Sequence, residues 1–264
     1  MISSEKDELA DASMAKEVRY RIAVINSSGN TGKSLASDYL LRPRMDLQGH
    51  YVINNMSMYN KTYSDEIVLS GGSFDEVLKA LTNLDSAIVD IAAHNTGCAI
   101  SIMQNNSDSH KLFDYFLIPV IKGIKESEDS LNTIKALLKL GVPAESIKLI
   151  FNNINNLEVI NDEFEYLLSH LDELKIPYDT NAFIAHSPLY SRLSELGISL
   201  SDLLSIPIEE RKDRKEYLRI KGSAERSEEE AKELKVLASL ITTQRCAQSS
   251  IQNLNNVYSL LFAK

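Results

Sequence analysis

The chain has 264 residues, which suggests one large domain or two small ones. Hydrophobic residues make up 44% and charged residues 25%, which excludes intrinsic disorder, and the 10 glycines and 6 prolines exclude a collagen-like chain. The net charge of −9 argues against a protein that coats nucleic acid over its whole surface, although it leaves room for a local basic patch.

The sequence carries no signature of a membrane, secreted or disulfide-stabilised protein. No run of 18 apolar residues is present, so we expect no membrane-spanning helix. Cys98 and Cys246 are too few and too far apart for a disulfide framework or a CxxC metal site, which fits a reducing cytoplasm. Residues 1–17 lack the basic and apolar regions of a secretion signal, and we interpret them as a polar extension before a single domain over 18–264.

Short apolar runs alternate with helical patterns along the chain. The runs are rich in Ile, Val and aromatic residues and hardly alternate with polar ones, as in strands buried on both faces. They are Arg21–Asn26, Tyr51–Ile53, Ile67–Leu69, Ala87–Ile91, Tyr115–Val120, Ile147–Phe151 and Phe183–Ala185. This order predicts an α/β fold, a mostly parallel β-sheet flanked by helices on both faces.

The stretch Ile22–Leu40 has the order that a phosphate-binding loop requires. A buried strand ends at Asn26, a loop of small residues follows, and a Gly-Lys-Ser sequence opens a helix. The backbone N–H groups of Gly29–Ser34 can wrap around a phosphate at the positive end of that helix. Lys33 would reach the β- and γ-phosphates, and the Ser34 hydroxyl would bind Mg²⁺.

The strict pattern GxxxxGK[ST] fails at one position, because Ser27 stands where its first glycine belongs. Serine is small, so we expect the loop to close nevertheless. The alternative is an ordinary strand–turn–helix with an exposed lysine. Other enzyme classes leave little trace, since no GxSxG nucleophile elbow, HExxH zinc motif or GxGxxG dinucleotide loop is present.

Two helices are predicted in the middle of the chain. Phe74–Leu84 follows Ser73, which together with Glu76 has the spacing of a capping box. Ser127–Leu140 carries an apolar stripe and ends at Gly141, which predicts a left-handed C-terminal cap.

Asp90 ends the apolar run before a polar loop. A carboxylate at the C-terminal edge of a parallel strand can face a ligand, and here it could hold a Mg²⁺-bound water opposite Ser34. The alternative for Asp90 is a helix cap or an ion pair. His94 follows in that loop, and its simplest interpretation is a polar surface histidine.

The C-terminal part holds a basic segment and a long helical pattern. Arg211–Arg226, here called the basic segment, contains seven basic and three acidic side chains. It is either a solvated helix face or a DNA contact, and any such contact would be to phosphates. Ser227–Phe262 predicts a long C-terminal helix that packs on its own domain or serves a dimer or a partner.

The loop resembles that of a known ATPase family. Ser28–Ser34, with the sequence SGNTGKS, is similar to the deviant phosphate loop KGGxGK[ST] of the ParA/MinD ATPases. The segment AVINSSGNTGKS, followed by LLRPRM at Leu40–Met45, looks closest to the plasmid-stability StbB branch. A looser resemblance covers roughly residues 20–205, and it is specific only at the loop.

The chain departs from the family pattern at three places. The signature lysine of the family falls at Ser28, and its second loop glycine falls at Asn30. Its second-strand aspartate, which acts on the attacking water, should lie within Val52–Ser57, where the sequence VINNMS has no carboxylate. Asn54 and Asn55 can hold water but are poor bases. We therefore expect ATP binding with slow hydrolysis.

The resemblance implies a set of site residues. Catalytic roles fall on Lys33 and Asp90, and magnesium ligation on Ser34 and Asp90. His94–Thr96 would act as the second switch loop. An asparagine at the position of Asn152 hydrogen-bonds the adenine edge, although asparagine also forms turns readily. The nucleotide-binding residues would be Ser28, Gly29, Asn30, Thr31, Gly32, Lys33, Ser34, Leu35 and Asn152, and Ala185–Tyr190 would flank the base.

The sequence thus predicts a ParA/StbB-like protein of the cytoplasm that binds ATP and Mg²⁺ and acts in plasmid partition or stability. The expected partners are a second copy of the chain, a small DNA-binding partition protein and, through the basic segment, DNA itself. Two alternatives stay open. One is a non-hydrolysing nucleotide-binding adaptor, and the other is a small-molecule P-loop kinase whose arginine lid would be Arg211–Arg226.

Overall fold

The computed structural model describes residues 19–54, 63–223 and 225–262. In these parts of the chain, seven strands form one sheet in the order β3-β2-β4-β1-β5-β6-β7. The strands are β1 (Arg21–Ile25), β2 (Gly49–Ile53), β3 (Glu66–Leu69), β4 (Ala87–Ile91), β5 (Tyr115–Val120), β6 (Ile147–Ile154) and β7 (Phe183–Ala185). The predicted N-terminal extension, residues 1–17, lies outside the described residues.

Helices connect the strands and continue after the last one. The first, α1 (Lys33–Leu35), runs on as a π-helical stretch (Ala36–Leu41) and a 3₁₀ turn (Arg42–Arg44). The others are α2 (Phe74–Leu81), α3 (Thr96–Asn105), α4 (Ile124–Leu140), α5 (Ile160–Glu163), α6 (Glu165–Leu174), α7 (Leu189–Leu196), α8 (Leu200–Ser205), α9 (Ile208–Ile220) and α10 (Glu228–Phe262). Across the described ranges, none of the helices has the length and hydrophobicity needed to cross a bilayer.

Parallel pairing places the carboxyl ends of β1, β2, β4 and β5 at one edge of the sheet. β1 lies between β4 and β5, with Val24 opposite Asp90 on one side and Leu117 on the other. β2 pairs with β4 on its far side, where Val52 is opposite Asp90. The carboxyl ends of these strands therefore meet at the edge where the loop after β1 begins.

The sheet is covered on both faces, which confirms the predicted α/β fold. On one face, buried side chains of the central strands pack against α2, α3, α4 and α6 in a continuous apolar cluster. On the other face, Ile22, Val24 and Leu117 are also fully buried, and the π-helical stretch contacts β4 there. Burial on both faces explains why the strands read as continuous apolar runs.

The described residues group into two compact units. Residues up to 184 form the first unit together with residues 256–262, and Ala185–Asn255 forms the second. In the first unit, the Phe262 ring at the end of α10 packs on Tyr20 and Tyr115, with centroids 6.0 and 5.4 Å apart. The long C-terminal helix is confirmed, and the single domain over 18–264 stays a prediction.

Two details of the predicted elements are wrong. No capping box precedes α2, because Ser73 ends a 3₁₀ turn at φ −94° and ψ 15° and its side chain makes no cap hydrogen bond. A capping box needs an extended residue there. Asn152 lies within β6, which runs to Ile154 rather than ending before it. Gly141, by contrast, is the left-handed cap of α4, at φ 93°.

Candidate phosphate-binding site

The loop between β1 and α1 is anchored at its start by one buried asparagine. The Asn26 amide Nδ2 donates to Pro119 O at 2.9 Å and to Ser130 Oγ at 2.8 Å. Its Oδ1 accepts the backbone N–H of Ser28 at 2.9 Å. One fully buried side chain thus joins β5, α4 and the loop, so the path of the backbone out of β1 is fixed before the glycines begin.

The middle of the loop depends on a glycine and a second asparagine. Asn30 and Gly32 have φ values of 55° and 93°, in the left-handed region. The Asn152 Nδ2 donates to Thr31 O at 2.8 Å, and a Cβ at Gly32 would overlap that carboxamide. Only glycine therefore suits position 32. A Cβ at Gly29 would meet nothing within 4 Å, so this part of the loop faces open space.

Lys33 lies folded over the loop rather than extended into solvent. Its Nζ donates to Ser28 O at 2.7 Å and lies 3.4 Å from Thr31 Oγ1. The residue is only 8% exposed. Burial lowers the pKa of Lys33 to about 8, an effect that the nearby Asp90 carboxylate opposes. The loop thus holds a desolvated ammonium group whose hydrogen-bond partners are two neutral oxygens.

Asp90 is also buried, and it lies beside the first turn of α1. Burial raises its pKa to about 6, and Glu66 adds to the rise, whereas a hydrogen bond from Ser34 and the charge of Lys33 oppose it. Ser34 and Asp90 together offer a hydroxyl and a carboxylate oxygen, the ligand type that Mg²⁺ prefers. A cation held there would keep the Asp90 carboxylate ionised. The donor set therefore fits the metal that the sequence predicts.

The backbone donors at the start of α1 complete the site. In the parts of the chain that the structure describes, the N–H groups of Gly32, Lys33 and Ser34 make no hydrogen bond. The first N–H groups of a helix lack intrahelical partners and carry partial positive charge. Open backbone donors, a lysine held by neutral oxygens and a hydroxyl–carboxylate pair are what a phosphate and its cation require. Leu35 follows in α1 and is half-buried.

The loops after β2 and β4 meet at the same sheet edge. Ile53 O accepts the backbone N–H of Ala92 at 3.0 Å and the Asn95 Nδ2 at 3.1 Å. His94 is exposed in the turn between them and lies 3.2 Å from that amide. Asn54 is half-buried directly after β2. The other predicted candidate there, Asn55, lies outside the described residues.

Sequence reasoning missed a buried polar cluster formed by Asp38, His50 and Glu66. One ligand-type atom from each residue lies within 4.8 Å of the others. The Arg42 guanidinium donates to His50 Nδ1 at 3.0 Å, and burial lowers the pKa of His50 to about 4. A guanidinium can only donate, so the proton of the neutral ring is on Nε2 and neither nitrogen offers a free lone pair to a metal. Only the sheet register, which sets His50 opposite Glu66, could have revealed this cluster.

The basic segment is largely neutralised by carboxylates within the second unit. Four of its cations form ion pairs 2.5–2.7 Å long: Lys212 with Glu209, Arg214 with Glu233, Arg219 with Glu216, and Lys221 with Glu230. Arg211 is buried and donates to Leu203 O at 2.6 Å and to Gln244. DNA contact by this segment stays a prediction, as does the role of Ala185–Tyr190 beside a base.

Comparisons with known proteins find similar folds only. No protein-family model and no curated protein matches the sequence. Solved structures with a similar fold are P-loop ATPases of the ParA/MinD family. Apo McdA of Cyanothece has 16% identity and a TM-score of 0.46, over 70% of this chain and 92% of that chain. MinD of Pyrococcus horikoshii with Mg-ADP has 16% identity and a TM-score of 0.46, over 69% of this chain and 87% of that chain.

A ParA-family ATPase of Chlorobium tepidum has 12% identity and a TM-score of 0.47, over 72% of this chain and 95% of that chain. These identities and scores are too low to transfer an activity or a partner. The function of this chain therefore has to be argued from its own residues.

Proposed function

We propose that the chain binds ATP and Mg²⁺ at the loop after β1 and acts as a ParA/StbB-like, nucleotide-dependent dimer switch in plasmid partition or stability. One observation supports this most strongly. Lys33, Ser34 and Asp90 converge beside backbone N–H groups that make no hydrogen bond in the described chain. The biological role and the StbB branch rest on the resemblance of the loop sequence.

Binding would replace internal contacts of the loop by contacts to phosphate. A triphosphate oxygen would take over the Lys33 ammonium from Ser28 O and accept the free N–H groups at the start of α1. Charge-assisted hydrogen bonds of this kind are stronger than the neutral ones they replace. Ser34 and Asp90 would hold Mg²⁺, which neutralises phosphate charge when bound. Asn152 would keep Gly32 and Thr31 in place beneath the phosphates.

Hydrolysis would depend on electrostatic stabilisation by Lys33 rather than on a general base. Asn54, not a carboxylate, follows β2, so no strong base is offered to the attacking water from the described part of that loop. Lys33 would stabilise charge that develops on the transferred phosphoryl group. The same observation favours the second candidate function, a nucleotide-binding adaptor that does not hydrolyse ATP.

A calorimetric titration tests nucleotide binding. ATP, ADP and GTP are titrated into the native chain with and without Mg²⁺, and into Lys33→Ala. Loss of a desolvated charge–phosphate contact is expected to weaken ATP binding about a hundredfold. Lys79→Ala is the matched control, because Lys79 is exposed and paired with Asp75 on α2, and it should bind like the native chain. No ATP binding by the native chain, or equal binding by Lys33→Ala, contradicts the proposal.

Single-turnover measurements separate the enzyme from the adaptor. Slow release of phosphate by the native chain, abolished in Lys33→Ala, supports an ATPase. Tight binding without release supports the adaptor. Sedimentation with and without ATP tests the dimer switch, since the native chain should associate in ATP whereas Lys33→Ala should stay monomeric.

A further inference from the structure

Ser27, which takes the place of the first loop glycine, is bonded to helix α4. Its backbone N–H donates to Thr133 Oγ1 at 3.1 Å, and its hydroxyl donates to Asp129 O at 2.9 Å. The two hydroxyl oxygens of Ser27 and Thr133 also lie 2.9 Å apart. Glycine at position 27 could not make the two side-chain contacts, so the departure from the phosphate-loop pattern creates a link that the pattern itself lacks.

Thr133 is the centre of this link. It is 2% exposed, and its hydroxyl oxygen accepts the Ser27 N–H while donating to Asp129 O at 3.0 Å or to the Ser27 hydroxyl. One turn earlier on α4, Ser130 accepts the Asn26 amide. Two consecutive residues at the start of the loop are thus tied to hydroxyls on one face of one helix. Without the Thr133 oxygen, the Ser27 N–H would lose the only hydrogen bond found for it in the described chain.

We propose that Thr133 is a positioning residue for the phosphate loop. Through the Ser27 N–H it sets the direction in which the backbone leaves β1, and hence where the donors of Gly32–Ser34 and the Lys33 ammonium lie. α4 then acts as the rigid support of the loop. The hydroxyls of Ser27 and Thr133 fix the backbone at the position where the phosphate-loop pattern has a flexible glycine. This inference rests on the proposed binding of a triphosphate at the loop.

The hydroxyl can be removed with little change in shape. Thr133→Val keeps the volume of the buried side chain and removes the acceptor, whereas Thr133→Ser keeps the acceptor and removes the methyl group. Ser127→Ala is the matched control, because Ser127 is a buried hydroxyl residue of the same helix whose side chain makes no hydrogen bond to the loop among the described residues. Ser27→Ala provides a variant at an exposed side chain that keeps the N–H bond to Thr133.

ATP and inorganic tripolyphosphate are titrated into each variant well below its melting temperature. Loss of one well-placed hydrogen bond predicts about tenfold weaker binding of both ligands by Thr133→Val. Ser27→Ala should bind about threefold more weakly, and Thr133→Ser and Ser127→Ala should bind like the native chain. Equal effects on ATP and tripolyphosphate identify the loop, because both ligands share only the phosphates.

The outcomes distinguish this inference from the proposed function. If the native chain does not bind ATP, the proposed function is wrong. If it binds ATP while Thr133→Val and Ser27→Ala bind equally well, Thr133 does not position the loop. Weaker binding by Thr133→Ser together with native binding by Thr133→Val would assign the effect to packing of the methyl group and overturn the role of the hydroxyl. Should Thr133→Val fail to fold, Ser27→Ala and Thr133→Ser still decide between these results.

Discussion

Cationic side chains are held in opposite ways in the loop after β1 and in the basic segment. Lys33 is desolvated, and its hydrogen-bond partners are a carbonyl and a hydroxyl. Arg214 and Lys221 are more exposed and are paired directly with the carboxylates of Glu233 and Glu230. A phosphate readily replaces a neutral oxygen as the partner of an ammonium group. A carboxylate, in contrast, competes with the phosphate for the cation. If the loop binds phosphate as proposed, a count of lysines and arginines alone would rank the two regions in the opposite order as anion sites.

The largest effect is expected when the loop is disturbed without a change of charge. Gly32→Ala places a Cβ against Asn152 at φ 93°, and the strain should cost about 1–3 kcal/mol of stability and weaken ATP binding about a hundredfold. Gly29→Ala, whose Cβ meets open space, should change stability by less than about 1 kcal/mol. Urea unfolding and calorimetry measure both. Equal behaviour of the two variants would refute the loop geometry.

The protonation of Lys33 should make ATP binding depend on pH. Phosphate needs the ammonium form, and the free protein holds this pKa at about 8. Above that pH the ammonium must first regain its proton, so the affinity for ATP should fall about fivefold between pH 8 and 9. The native chain and Lys33→Ala are titrated from pH 7 to 9.5. An affinity of the native chain that is independent of pH would contradict the account.

Replacement of Asp90 should have a moderate effect on the free energy of unfolding, and this effect should depend on pH. Its pKa rises from the ordinary 3.8 to about 6 on folding, so the native state binds its proton more tightly than the unfolded chain. Its contribution to stability is present below about pH 4 and is lost as the pH rises to about 6. Relative to the native chain, Asp90→Asn should gain about 1–3 kcal/mol between pH 4 and 7. Urea unfolding at both pH values would show no such gain if Asp90 were solvated.

The smallest effect is expected in the basic segment. The coupling energy between Arg214 and Glu233, measured by a double-mutant cycle in urea, should be close to zero, because both side chains are exposed to solvent. Salt should reduce it further. A large coupling energy would mean that this pair is far less solvated than the structure shows, and the difference from Lys33 would then be smaller.

Much of the fold follows from local patterns in the sequence. Continuous apolar runs such as Ala87–Ile91 predict buried parallel strands at the bounds the structure has. Gly141 predicts the end of α4 because only a left-handed residue closes a helix in that way. The capping box predicted at Ser73 is wrong because the backbone conformation of this residue is set by a 3₁₀ turn, which the spacing of residues does not encode.

The arrangement of the candidate site could be predicted where its residues are close in sequence. Gly32, Lys33 and Ser34 can be recognised from the sequence because they are consecutive residues of the turn that opens α1. The supports of the loop come from far along the chain, since Asn152 and Thr133 reach it only after the sheet has formed. The cluster around His50 was not predicted from the sequence for the same reason. Nothing in the spacing of Asp38, His50 and Glu66 shows that strand register and a helix face bring them together.

The proposed function requires that the backbone amides at the start of α1 and the Lys33 ammonium bind a triphosphate. Backbone amide NMR of the ¹⁵N-labelled native chain, titrated with ATP and Mg²⁺ at pH 7, tests it most directly. We expect the largest shifts at Gly29, Gly32, Lys33 and Ser34, and these shifts should saturate together and be absent when Lys33→Ala is titrated at the same concentrations. Saturable shifts at another surface with these four amides unmoved would contradict it.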